Sequence, residues 1–337
     1  MQKSYLGIDV SKLTFDVSII SLRGTQKQAA ISTLFSNDKA GLSSFKMWLE
    51  TQHVSFDNNS LLVIENTGIY HRLIWDFCTA NLLPLYIGNA ADLKWSFGIA
   101  RGKTDKVDSL RLCEYCYKHH EDIQPTTALN KTLITLKDLL SNRSKLLKQK
   151  NAIKQTINEL KVSNDKTTQE LMVKLNKSAI EGLQKSIKLI EAAMLKMISQ
   201  DAGVLRNYTH MLSVPGIGKI TAIFILCCTN NFAVKTSGKQ LASYAGVVPF
   251  AHSSGTSVKG RNKVHFMANK ELKSLLTMGA LSAVNAYPEF KDYYERKMKE
   301  GKKHLQVLSA IKNKMLLRVA AVINQQKNYE NKYKTAC

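Results

Sequence analysis

The chain has 337 residues, 44% of them hydrophobic, which allows two or three domains around a sizeable core and excludes an intrinsically disordered chain. No apolar run is long enough to span a bilayer, and the start, MQKSYLGIDVSK, reads as a strand rather than a signal peptide, so the expected setting is cytoplasmic with no membrane partner. The net charge is +22 and unevenly placed: residues 1–125 carry 13 basic and 13 acidic side chains, so the whole excess falls on 126–337, and no acid occurs between Asp201 and Glu271, where eight Lys or Arg fall.

A solvated surface normally mixes charge signs. An acid-free stretch of this length favours a polyanionic partner, nucleic acid before membrane headgroups.

In chain order, YLGIDVSKLTFDVSIISLRG alternates and is rich in β-branched residues, which predicts two strands with a turn near Ser11 and Lys12. A third strand is expected over 27–34 and a helix over 38–53. SLLVIENTG (60–68) is a short apolar strand ending at an acid and a glycine. Residues 69–82 read as a helix, PLYIG (84–88) as a strand, and TDKVDSLRLCEYCYKHH as a helix capped by its Thr, with acids in its first turn. Antiparallel strands followed by alternating helices and strands predict a mixed sheet with helices packed on it.

The six cysteines fit buried thiols better than a disulfide framework. Cys113, Cys116, His119 and His120 raise the question of zinc. A structural site needs a second ligand pair, none is visible, and the helical reading is favoured.

Pro and Gly nearly vanish over 126–203, where Leu, Ile and Lys dominate. Ile180, Leu183, Ile187, Ile190, Met194 and Met197 step by three and four. Leu133, Leu136, Leu140 and Leu147 do likewise, with Arg143 and Lys150 on the seam. Two long antiparallel helices are expected, either a dimerising coiled coil or one leg of a bundle. Residues 204–327 read as a third, mostly helical region, and 328–337 as a tail. Its LSVPGIGKITAIFIL (212–226) holds a Pro-Gly-x-Gly turn between apolar helical flanks. In a helix-hairpin-helix such a turn offers backbone N–H groups to a phosphate, a use that Pro215, Gly216, Gly218 and Lys219 fit. A tight turn with no ligand is the alternative.

The acids of residues 1–125 occupy telling places. Asp9 lies in the first strand, Glu65 ends the fourth, and Asp105 and Asp108 share one face at a helix start. Polynucleotide strand transfer uses hard divalent cations held by oxygen ligands, and acids on neighbouring strand ends plus a helical pair can build such a site. Asp105 could merely cap its helix. Asp9 is harder to set aside, because a carboxylate in an apolar strand needs a partner or a metal.

GIDVSKLTFDV, VIENTGIYH and ARGKTDKVDSLRL, in that order, resemble the RuvC-type nuclease domain of the DEDD insertion-sequence transposases. This is the IS "one-ten" family of bridge-RNA-guided recombinases, which includes the Piv-type DNA invertases. VPGIGKITA and LASYAGVVPFAHSSGTSVKG resemble its C-terminal domain. The resemblance runs over nearly the whole chain. It implies an α/β RuvC/RNase H-like metal-binding domain with a mixed sheet over 1–125. A helical coiled-coil dimerisation region would follow over 126–203, then a mostly α transposase domain with a helix-hairpin-helix-like motif over 204–327.

It further implies that the acidic tetrad is Asp9, Glu65, Asp105 and Asp108, binding Mg²⁺, two ions per site with Mn²⁺ as a substitute. The nucleophile falls on Ser254, with Ser253 one residue away. Gly255 and Gly260 would let the loop approach the DNA backbone, and Lys259, Arg261 and Lys263 would hold phosphates. His252 is read as solvent-facing or capping rather than as the serine's base. The implied partners are donor and target DNA, a structured noncoding bridge RNA, and further copies of the chain in a dimer or tetramer with shared sites, in a bacterial, nucleoid-associated setting. The implied activity is DNA transposition through a phosphoserine intermediate. The alternatives are a Piv-type site-specific invertase and a RuvC-like metal nuclease that uses water.

Overall fold

The computed structural model describes residues 2–97, 104–127, 130–160, 165–254 and 258–331. It forms two compact units, Met1–Ala128 and Leu129–Cys337.

In the first unit, β1 (Gln2–Val10) and β2 (Thr14–Arg23) make an antiparallel hairpin. Ser11 holds its turn: the Ser11 N–H donates to Thr14 O at 2.9 Å and the hydroxyl accepts the Thr14 N–H at 3.1 Å. β3 (Gln26–Lys27) and β4 (Ile31–Ser36) both pair with β2, so the strand expected over 27–34 is a two-residue bridge followed by a later strand. α1 (Lys39–Thr51) starts at Asp38, whose carboxylate accepts the Gly41 N–H at 2.8 Å. β5 (Ser60–Glu65), α2 (Arg72–Ala80), β6 (Leu85–Gly88), α3 (Ala90–Ser96) and α4 (Asp105–His119) follow.

The sheet order is β3-β2-β1-β5-β6, with β4 also on β2. β1–β2 is antiparallel, whereas β1–β5 and β5–β6 are parallel, so the sheet is mixed as expected. Leu6, Ile8, Leu62, Val63 and Ile64 are all fully buried, as central strands covered on both faces require. Phe15, Phe35, Phe45 and Trp48 pack ring against ring between β2, β4 and α1, mostly edge-on or tilted. Leu93, Leu112 and Cys116 of α3 and α4 pack with Tyr5, Leu61 and Val63.

The second unit starts with α5 (Lys131–Glu159) and α6 (Lys166–Gln200). Arg143 Nε donates to Glu191 Oε1 at 2.7 Å, and Lys150 Nζ to Gln184 Oε1 at 2.8 Å. Seven residues forward on one helix is seven back on the other, which fixes the pair as antiparallel and occupies the two polar seam positions. Leu133, Leu136, Leu140, Met194 and Ile198 enter the same buried cluster as the helices that follow. That end of the pair is therefore core, as in the bundle alternative.

Next come α7 (Ala202–Leu212), α8 (Lys219–Cys228), α9 (Gly238–Tyr244), the ribbon of β7 (Phe250–Ser254) and β8 (Val258–Lys263), α10 (Lys270–Ala286), α11 (Pro288–Lys299) and α12 (His304–Gln325). α12 is the central rod, with Leu308, Ile311, Met315, Leu316 and Val319 buried. Residues 328–331 return to the unit rather than trailing free. The Tyr329 N–H donates to Ser213 Oγ at 2.7 Å, and its ring lies under the Arg318 guanidinium. Among the described residues no helix is long and apolar enough to cross a membrane.

Candidate active site

β1 and β5 run parallel with Ile8 opposite Ile64, so Asp9 and Glu65 lie level on neighbouring strand ends. α4 brings Asp105 and Asp108 in its first turn, and Thr104 caps it by accepting the Val107 N–H at 3.3 Å. What holds α4 to the sheet is a close approach at Gly7. A Cβ there would lie 2.0 Å from the Cys113 backbone N and 2.3 Å from the Ser109 O. Buried polar contacts fix the same register: Ser18 Oγ lies 2.8 Å from both Ser109 Oγ and Ser32 Oγ, and the Cys113 thiol donates to Tyr5 O at 3.1 Å.

Asp9 feels all of these acids. Its carboxyl is pushed up from 3.8 to about 6, first by burial and then by Asp105, Asp108, Glu65 and Asp16. Like charges gathered around a half-buried carboxylate disfavour its ionised form. The tetrad expected from sequence is thus brought together around Asp9, with Asp108 also paired to Arg111 at 2.8 Å.

Asp16 was missing from the expected set. It stands directly across from Asp9 in the β1–β2 ladder. Its carboxyl is raised by burial and by Asp105, while Lys106 opposes the rise. Opposed residues of an antiparallel pair share a sheet face, so Asp16 lies on the same face as Asp9.

The donor set suits a hard divalent cation, since it consists of carboxylate oxygens only. Among the described residues no three Asp, Glu, His or Cys side chains converge closely enough to close around an ion. The carboxylates form an open set. Cys113 and Cys116 do not join His119 and His120. Their thiols are buried against the sheet, donating to the carbonyls of Tyr5 and Leu61, and burial pushes Cys113 up to about 12. His119 lies tilted against Tyr115 with ring centroids 4.7 Å apart, and His120 tilted against Tyr5 at 4.9 Å.

In the second unit, Ser254 ends β7 in register with Val258, and Ser253 is in register with Lys259. Gly260 lies opposite His252, Arg261 follows it in β8, and Lys263 ends β8, exposed, opposite Phe250. Gly255 lies outside the described residues. The two chain arms at the base of this ribbon are pinned together. Asn269 donates from its backbone N–H to Tyr244 O at 2.8 Å and from its side-chain amide to the Tyr244 hydroxyl at 3.0 Å. Between them Gly246 has φ +62, and a Cβ there would lie 2.5 Å from Ala268 Cβ.

The Pro-Gly-x-Gly turn joins α7 to α8. Pro215 is buried. Gly216 has φ +87 and fits against Gly279 O and the Met315 side chain, so packing alone requires glycine there. Gly218 is the cap residue of α8, and both it and Lys219 are exposed.

Comparison with known proteins matches residues 6–161 to a DEDD transposase family of the IS110 group and residues 208–295 to the family described as Transposase IS116/IS110/IS902. The chain is 29% identical to the pilin gene-inverting protein of Moraxella bovis, over 98% of this chain and 99% of that one, and 29% identical to its Moraxella lacunata counterpart over the same shares. It is 31% identical to the IS110 insertion-element 43.6 kDa protein of Streptomyces coelicolor over 36% of this chain and 30% of that one. A solved T. thermophilus RuvC in complex with Holliday junction substrate aligns with 37% of this chain and 99% of that one, at 11% identity and a TM-score of 0.27, too slight to bear on function.

Proposed function

We propose that this chain, a DNA transposase or recombinase that matches the DEDD transposase model over 6–161 and the Transposase IS116/IS110/IS902 model over 208–295, cuts and rejoins DNA through a serine ester at Ser254. The observation that carries this reading is the gathering of Asp9, Glu65, Asp105 and Asp108 at the ends of two parallel strands and one helix. A phosphodiester brings more negative charge to such a place, so the site requires a cation.

Asp9, Glu65, Asp105 and Asp108 would hold Mg²⁺, with Mn²⁺ as a substitute, and Asp16 stands by as a fifth carboxylate. Bound there, the metal supplies positive charge against the reacting phosphate and eases loss of the serine proton. The Ser254 hydroxyl gives up its proton, an Oγ–P bond forms, and one strand P–O bond breaks, its oxygen leaving as a hydroxyl that takes up a proton. Reversal with the hydroxyl of a different strand releases the serine and joins the new pair, with no external energy source. Lys259, Arg261 and Lys263 hold flanking phosphates, Gly255 and Gly260 allow close approach to the strand, and Gly218 and Lys219 offer a further phosphate contact.

Sequence choice is delegated to a bridge RNA that pairs with donor and target DNA. Much backbone-type positive charge without a base-reading motif supports this. The chain acts as a dimer or tetramer that shares sites between copies, with the α5–α6 pair as its dimerisation element.

A second reading, site-specific inversion, is favoured by the end-to-end similarity to the two pilin gene-inverting proteins. The two are separated by supplying purified protein and flanking RNA with two substrates: an element junction plus a target duplex, or a segment between inverted sites. Joined junction–target product supports transposition, and a flipped segment supports inversion. Activity that survives Ser254→Ala and Ser253→Ala contradicts the serine mechanism and supports the water-using nuclease.

A further inference from the structure

Between α5 and the α8–α10 helices the second unit holds a cleft of about 410 Å³, within the size of small-ligand sites, roughly 300–1,000 Å³. We propose that this cleft holds an unpaired nucleotide of the DNA strand that the serine ribbon attacks, with its phosphates on the α5 lysines and its base on Tyr244. This rests on the recombinase reading and adds to it the place where the strand is gripped.

One wall is a stripe of α5: Lys137, Ser141, Ser144, Lys145 and Lys148 all line the cleft. They recur at helical spacing on one face, and the three lysines are exposed with their charges clear of any ion pair among those described. Three cations and two hydroxyls along about three turns form a track for successive phosphates. The opposite wall offers Tyr244, Phe224 and Asn269. Tyr244 is 45% exposed, yet its hydroxyl is fixed by Asn269 at 3.0 Å and lies 3.5 Å from the Cys228 sulfur. A half-exposed ring held by its hydroxyl is a platform on which a base can stack. Glu271, the one acid among the lining residues, repels phosphate from that wall and can accept from a base amino group.

Position favours DNA over the guide. Tyr244 and Asn269 are also the two residues that pin the base of the β7–β8 ribbon. Five residues separate Tyr244 from the start of β7 and five separate the end of β8 from Asn269. A strand seated in the cleft therefore lies at the root of the segment that carries Ser254.

The test uses the full-length chain with Ser254→Ala, so that binding is read without chemistry. Labelled single-stranded DNA and the same sequence as RNA are titrated at several salt concentrations. The variant Lys137→Ala/Lys145→Ala/Lys148→Ala is compared with Lys39→Ala/Lys46→Ala/Lys94→Ala, which removes the same charge from exposed positions of the first unit. Alanine is the better helix former, so the cleft variant keeps its fold. The expected result is DNA affinity at least tenfold below that of the control variant and a salt slope shallower by about 2, at roughly 0.7 per phosphate lost. Tyr244→Phe, which keeps the ring but loses the hydrogen bond that holds it, keeps more affinity than Tyr244→Leu, which loses about tenfold. Unchanged DNA affinity in the triple variant, or a loss confined to RNA, overturns the cleft assignment. Parent protein that binds no DNA contradicts the recombinase reading itself.

Discussion

Asp9 is flanked by Ile8 and Val10, both buried, in a strand buried on both faces. With its carboxyl raised from 3.8 to about 6, the native chain holds an extra proton that the unfolded chain releases. Stability without metal therefore falls as pH rises through that window. Asp9→Asn is expected to melt above wild type at pH 7 without divalent ions and to match it below about pH 4, because the neutral amide removes the repulsion. Mg²⁺ should raise the melting temperature of wild type and not that of Asp9→Asn, and calorimetry in the two conditions reads both effects. Asp16→Asn should show a smaller Mg²⁺ response than wild type with its fold intact. Asp9, Glu65, Asp105 and Asp108 drew notice in the sequence because each sits in a recognisable motif. Asp16 did not, since a lone acid in an alternating strand looks like a solvent-facing position until the ladder sets it opposite Asp9. Gly216 was legible as a turn glycine, but its packing partners Gly279 and Met315 lie 63 and 99 residues away and no local pattern points to them.

The placement of α4 depends on an absent side chain. Gly7→Ala forces a methyl into the α4 backbone, and overpacking of this kind costs about 1–3 kcal/mol or more. A lower denaturation midpoint together with a weakened Mg²⁺ response is the expected signature, since Asp105 and Asp108 move with the helix. The β7–β8 ribbon depends on a second such glycine. Gly246→Ala meets both a positive φ and the Ala268 side chain, so it should cut strand-transfer rate well below wild type while the rest of the second unit keeps its helical signal. The caps at Asp38 and Thr104 made α1 and α4 legible from sequence. The seven-residue α3 was missed, although Asn89 caps it and Asp92 lies in its first turn, because so short a helix shows no periodicity. The 27–34 strand misplaced its boundary because Ile31 and Leu34 are exposed, so apolarity did not track pairing there.

For the molecule as a whole, charge divides by unit: the carboxylates around Asp9 lie in the neutral first unit, and the acid-free segment that holds the β7–β8 ribbon lies in the basic second. The break in composition near residue 126 falls close to the boundary between the two units. What composition could not give is that α5 and α6 belong to the second unit's core, because the heptad spacing of a bundle leg and of a coiled coil is the same. Polyanion binding by so basic a chain should weaken steeply with salt, and a flat dependence would remove the electrostatic basis of the reading. On the proposed mechanism, a serine ester with DNA forms only when the carboxylate site is intact. The ester is tested most directly by mixing the protein and flanking RNA with labelled junction DNA and Mg²⁺, separating the products under denaturing conditions, and locating any retained label by mass spectrometry. The expected result is label on Ser254, lost in Ser254→Ala and in Asp9→Asn. Cut DNA with no label left on the protein would contradict it.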